Sequence, residues 1–180
     1  MDFTEQVIAQ TKNWIVKVVV GCNFCPFAAK EVKNNTIRYK VEPSANPSVC
    51  LETLLNECAI LDVDASVETT FVIFPNAFKR FGQFLDMADI AEQLLTEHGY
   101  EGVYQVASFH PMYVFEGSNA TDAANFTNRS IYPMLHLLRE ASMEKALDKF
   151  PHPEEIPDRN IRFAHEKGLA YMQQLRNACM

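Results

Sequence analysis

Cys25 precedes Pro26, and proline is favoured at the first helical position, so the order predicts Cys25 as the N-cap of a short helix over residues 26 to 33. A sulfur at the positive end of a helix dipole has a lowered pKa and is held as thiolate, the form that attacks electrophiles or binds metals. The competing reading is a structural cysteine beside Phe24 and Phe27, because free cysteine is among the most buried residue types. Cys22 completes a Cys-x-x-Cys pair, which is a redox site if a strand precedes it and one half of a structural zinc site if a second pair exists. No second pair is present, and a helix before Gly21 removes the redox reading.

His110 stands in Ser108-Phe109-His110-Pro111, where a predicted strand ends. The crevice beyond the carboxyl ends of parallel strands is the usual ligand site of an α/β sheet, which suits this imidazole to general-base work. Hydrogen bonding to loop backbone is the plainer role for it. Further on, Arg129 offers a guanidinium fork for a carboxylate or phosphate. A helix expected from Pro133 to about Lys149 places His136, Arg139 and Glu140 opposite Met134, Leu135, Leu138 and Ala141. Met143 and Leu147 fall on that polar face too, so part of it should meet protein or line a pocket.

These residues need a scaffold. Phe3, Val7, Ile8, Trp14, Ile15, Val18 and Val19 keep helical spacing behind the Asp2/Glu5 capping pair, which predicts a helix over residues 3 to 19, although the run from Ile15 to Val20 would also suit a strand. Ile37, Tyr39 and Val41 alternate with charged residues as a half-wet strand does, and Thr69 to Phe74 reads as a strand buried on both faces. Helices are expected after Asn46-Pro47 and from Phe84 to Gly99, with a third strand over Val103 to Phe109. The expected fold is therefore α/β, a single layered domain over residues 1 to 158 with a small, mostly parallel sheet of about three strands flanked by helices. Residues 159 to 180 read as a C-terminal helical arm packing on it. About twenty residues from Pro111 to Ile131 lack any period, and so long a loop inside a domain is more often functional than idle.

Composition narrows the partners. A chain of 180 residues, 48% hydrophobic and 22% charged, can bury one sizeable core. The net charge of −7 and pI near 5.2, with scattered basic residues, disfavour nucleic acid. The apolar stretch Trp14 to Gly21 is shorter than the roughly 20 residues of a membrane span, so no membrane is expected as partner. The opening Met1-Asp2-Phe3-Thr4-Glu5 lacks a secretory pattern, and five cysteines are an odd number, so reduced thiols and a cytoplasmic location are the expectation.

Three segments carry a resemblance. Gly21-x-Asn23-x-Cys25-Pro26-Phe27-Ala28, the run Gln105-Val106-Ala107-Ser108-Phe109-His110-Pro111, and Thr127-Asn128-Arg129-Ser130-x-Tyr132-Pro133-x-x-His136-x-Leu138-Arg139-Glu140 resemble the bacterial and plastid family called domain of unknown function 1415. The resemblance implies site positions at Cys25, His110, Asn128, Arg129, His136, Arg139 and Glu140 and names no reaction. Cys22 and Ile131 depart from its pattern, which has an aliphatic residue and a proline there.

The leading expectation is an enzyme or binder of a small anionic metabolite, a cysteine- or metal-dependent hydrolase or transferase. Cys25 would be its nucleophile, His110 or His136 its general base, and Arg129 and Arg139 its anion clamp, beside Asn128 and Glu140. A second reading makes Cys25, His110 and His136 ligands of a zinc-like metal with an open coordination position. A third is a non-catalytic interaction module, in which the polar clusters only brace the loop.

Overall fold

The computed structural model describes residues 2–180. Helix α1 (Phe3–Trp14) starts with the expected capping box: the Glu5 N–H donates to Asp2 Oδ1 at 2.8 Å and the Asp2 N–H donates to Glu5 Oε2 at 3.0 Å. The chain stays helical through Ile15–Val20 but widens into a π-helical turn, with Gly21 N–H reaching Val16 O at 3.0 Å. Glycine is required here by contact, since a Cβ at residue 21 would stand 2.3 Å from Lys17 O. The predicted helix thus holds, and the β-branched run is taken up by the wider turn.

Helix α2 (Ala28–Asn34) begins two residues later than predicted, after a turn in which Ala28 N–H reaches Cys25 O at 3.4 Å. Strand β1 (Ile37–Val41), helix α3 (Pro47–Val63), strand β2 (Thr69–Ile73), helix α4 (Phe81–Glu97) and strand β3 (Tyr104–Phe109) follow the expected order. Asn46 caps α3 through its side chain on Ser48 N–H, and every residue of β2 is buried.

The predicted helix from Pro133 is corrected in its first half. Met134–Arg139 is strand β4, and only Glu140–Leu147 is helix α5. The sheet has four strands in the order β1-β2-β4-β3. β1 and β2 are parallel, whereas β4 runs antiparallel to both β2 and β3, so the sheet is mixed rather than mostly parallel. β2 and β3 still point the same way. The crossover through α4 skips one position, and the chain returns after the long loop to fill it.

Successive residues of β2 divide the interior. Phe71 and Ile73 join one core with Trp14, Ile15, Val18, Phe126 and Met134, while Val72 and Phe74 join another with Leu54, Phe84, Leu135 and Leu137. The first core lies under α1 and the π-turn, the second under α3 and α4. Helices α6 (Ile156–Lys167) and α7 (Leu169–Asn177), separated at Gly168 with φ of 80°, place Ala164 and Met172 in the first core. No described helix is long and apolar enough to cross a membrane.

Candidate functional site

Cys25 sits half-buried in the turn between the π-helical end of α1 and α2, and it lines three cavities. The largest of the three, about 330 Å³, is walled by Phe24, Phe109, Phe115 and Ile156, with Thr127, Asn128 and Asn160 as polar residues in its lining. A second, about 260 Å³, lies between the Cys25 turn and α5, where Met143 and Leu147 face it. The third is a chamber of about 40 Å³ that runs inward to Glu31, Thr69 and His136. Val19, Cys25 and Phe109 wall both the largest cavity and the chamber, so Cys25 marks the neck between them.

The electrostatics of the thiol oppose the expectation of a thiolate. Burial pushes the Cys25 thiol up from its ordinary value, and the backbone N–H groups of Phe27 and Ala28, which act on the sulfur, pull it only partly back. Cys25 is not the N-cap that the Pro26 signal indicated, since α2 starts at Ala28 with Phe27 as its N-cap, and at the sulfur desolvation outweighs the two N–H groups. Cys22 is buried, and its thiol is likewise pushed up by burial.

His136 lies on β4, opposite Phe71 on one side and Ala107 on the other, and its ring stacks on Phe71 with centroids 3.8 Å apart. Burial drives its pKa down to about 3, so the imidazole is neutral. Its Nε2 stands 2.6 Å from Thr69 Oγ1. The sequence-based helix would have turned His136 to a polar face; as a strand residue it points into the α1 side of the sheet, which is why it meets the chamber that Cys25 bounds.

His110 is not part of this site. Its Nε2–H donates to Phe78 O at 2.8 Å, its Nδ1 accepts from Met112 N–H at 3.0 Å, and the ring packs between Phe81 and Phe84 beside the α4 core. Both nitrogens are occupied in bracing the loop, and burial lowers its pKa. The expected convergence of Cys25 with His110 is therefore corrected: the strand ends there, but the ring turns to the other face of the sheet.

The arginine clamp is not assembled either. Arg129 is buried and donates from Nε to Tyr113 O and from Nη2 to Ala120 O, both at 2.9 Å, while its guanidinium lies 4.8 Å from the Phe126 ring centre. Arg139 donates from Nη2 to Leu61 O at 2.6 Å and Val67 O at 3.1 Å, tying the end of α3 to the chain before β2. Glu140 opens α5 with its backbone N–H on Val103 O. Among the expected ligand-binding residues only Asn128 lines a cavity with Cys25, its Nδ2 on Ser108 O at a long 3.5 Å.

The metal reading loses its ligands in the same way. Among the described residues no three His, Cys, Asp or Glu side chains are grouped to hold an ion, and His110 packs on Phe84 of the second core whereas His136 stacks on Phe71 of the first, against which Cys25 also packs. Phe109, Asn160 and Thr69 are among the contributors that went unread in the sequence. Thr69 carried a usable signal, since a hydroxyl in a strand buried on both faces must bond to something. Asn160, whose Nδ2 holds Phe24 O at 2.8 Å, carried none.

A four-stranded mixed sheet between two helical layers, with small apolar cavities meeting at a cysteine, defines the class: an α/β domain with a candidate small-molecule site. Residues 6–174 match the family described as protein of unknown function (DUF1415), and the chain belongs to that family. No curated protein and no solved structure matches the chain.

Proposed function

We propose that this chain binds a small, largely apolar molecule in the cavities that meet at Cys25. The observation that carries the reading is that one thiol borders all three spaces, two wide enough for a ring or short chain and one leading inward. An anionic ligand is less well supported, because the guanidiniums of Arg129 and Arg139 are committed to backbone carbonyls. The site-directed test is protection of Cys25 from iodoacetamide, read by peptide mass spectrometry. Toluene or benzyl alcohol at millimolar concentration should slow alkylation of Cys25 and leave Cys22 unchanged. An unaltered Cys25 rate with both probes removes the reading.

A second reading keeps Cys25 as a nucleophile. The backbone N–H groups of Phe27 and Ala28 that act on the sulfur are the type of donor that stabilises an oxyanion on an acyl-cysteine, which supports acyl transfer as the reaction class. His136 lines the same chamber, but burial leaves its imidazole too weak a base for the thiol, so the thiol proton passes to the leaving group that the substrate brings. An acyl-enzyme mass on Cys25 after incubation with an activated phenyl ester, absent in Cys25→Ser, is the expected signature.

A further inference from the structure

The hydrogen bonds around Thr69 determine which edge of His136 is bare. Thr69 Oγ1 lies 2.5 Å from Leu137 O and 2.6 Å from His136 Nε2. The hydroxyl has one proton, and a carbonyl can only accept, so that proton goes to Leu137 O. Its oxygen is then an acceptor for the imidazole. Both contacts are attractive only when Nε2 carries the hydrogen, since the opposite arrangement sets two oxygens at 2.5 Å with no proton between them. His136 is neutral at ordinary pH, so Nδ1 bears an unshared pair, and no described residue donates to it.

The other polar group of the chamber points to the same chemistry. Glu31 is 2% exposed; Thr36 Oγ1 donates to its Oε2, whereas Oε1 is buried without a hydrogen-bond donor. Lys30 Nζ stands 3.3 Å from that oxygen as an ion pair outside hydrogen-bonding geometry, on a side chain that is 71% exposed. The chamber of about 40 Å³ is therefore lined by two residues with an acceptor that no hydrogen bond uses, His136 with its Nδ1 and Glu31 with its buried Oε1, while the hydroxyl of Thr69 is already spent. Such a space is large enough for water or for one small functional group. Its other protic groups are the thiol at its neck and the indole N–H of Trp14, which is committed to Arg129 O at 3.0 Å.

We infer that the chamber beyond Cys25 receives a hydrogen-bond donor, the hydroxyl or amino end of an otherwise apolar ligand, and that Thr69 is the positioning residue that fixes His136 to accept it. This rests on the proposed binding site and adds the class of its ligand. A carboxylate or phosphate end is disfavoured by the same two acceptors, which would face it lone pair to lone pair. The ligand body occupies the larger cavity among Phe24, Phe109 and Phe115, and its donor passes Cys25 to reach the imidazole.

The test is a matched series with one ring and different ends: toluene, benzyl alcohol, benzylamine and benzoate. Affinities are read by titration, site occupancy by Cys25 protection, and the His136 tautomer by ¹⁵N chemical shifts. The expected result is an Nε2–H signature in the free protein, with benzyl alcohol or benzylamine bound at least about tenfold more tightly than benzoate and more tightly than toluene. Thr69→Val should disturb the tautomer signature and erase the advantage over toluene, while Thr69→Ser restores both. Equal affinity across the series, or a dominant Nδ1–H form in the wild type, overturns the inference and leaves the site reading intact. Failure of every probe to protect Cys25 overturns the site reading itself. Should Thr69→Val not fold, the wild-type tautomer and end-group preference still decide the ligand class, and Thr69→Ser must retain both for the positioning role to stand.

Discussion

Cys25 and His136 line one small chamber, the cysteine from the turn before α2 and the imidazole from the central strand β4. Neither is charged in the folded protein, because burial raises the thiol pKa and lowers that of the imidazole. Transfer of the thiol proton to His136 is therefore uphill, each unit of mismatch costing about 1.4 kcal/mol. A site with this pair at rest favours uncharged ligands, and any nucleophilic chemistry must draw on groups that a substrate brings.

Arg129 should behave as a brace. Its guanidinium bonds to two carbonyls of the loop, and those acceptors are left without partners in Arg129→Ala. The variant is expected to lose roughly 2 kcal/mol of stability with a lowered Tm, and Arg129→Lys to recover only part of it, since an ammonium cannot span both carbonyls as the fork does. Titration of inorganic phosphate should show no difference between variant and wild type. A variant that melts like the wild type but loses an anion site returns Arg129 to the role of clamp.

His136 should leave a mark on the acid side of the stability curve. Its pKa falls from about 6.5 unfolded to about 3 folded, so between those values the unfolded chain binds the extra proton. The stabilisation is present above pH 6.5 and is lost as pH falls toward 3, with a slope approaching about 1.4 kcal/mol per pH unit from this one group. Denaturant titrations of wild type and His136→Gln across that range test it. Parallel curves for the two proteins would mean that the imidazole is not desolvated.

Much of this architecture could be read directly, and the exceptions have identifiable causes. The capping pair Asp2/Glu5, the alternation of Ile37 to Val41 and the proline after Asn46 each encode a local preference that the fold keeps. β4 was concealed because Met134, Leu135, Leu137 and Leu138 are good helix formers buried on both faces, which removes the period of two that marks a strand. Its identity comes from the vacancy between β2 and β3. The candidate site suffered the same way: Cys25 was legible from Pro26, and Met143 and Leu147 from their unexpected place on a polar face. The direction of His110 depended on which side of the sheet its loop took, and Arg129 on carbonyls that no pattern announces.

Gly21 gives a test of the π-helical turn. A methyl group there would stand 2.3 Å from Lys17 O, and backbone cannot swing aside as a side chain can. Gly21→Ala should cost about 1–3 kcal/mol despite the better helix propensity of alanine. Because the turn carries Val19 into the walls of two cavities, the substitution should also change the iodoacetamide rate at Cys25. A stabilised Gly21→Ala would show that the chain can revert to a regular α-helix without loss.

The state of the Cys25 thiol is the measurement on which nucleophilic chemistry turns. Two effects compete at this sulfur: desolvation by its apolar walls, which raises the pKa, and the N–H groups of Phe27 and Ala28, which lower it. Desolvation is the larger, so the pH profile of alkylation at Cys25 should have its midpoint above the ordinary value of about 8.5. The rate at neutral pH should be lower than that of an unhindered thiol such as glutathione by more than accessibility alone explains. Accessibility can be separated by comparing iodoacetamide with a bulkier maleimide: a steric barrier changes the ratio of the two rates, whereas a raised pKa moves the midpoint of both. A midpoint below about 7 for both reagents would mean that the first turn of α2 outweighs burial. The resting thiolate would then be the form presented to a ligand, and acyl transfer through Cys25 would displace simple binding as the better reading of the site.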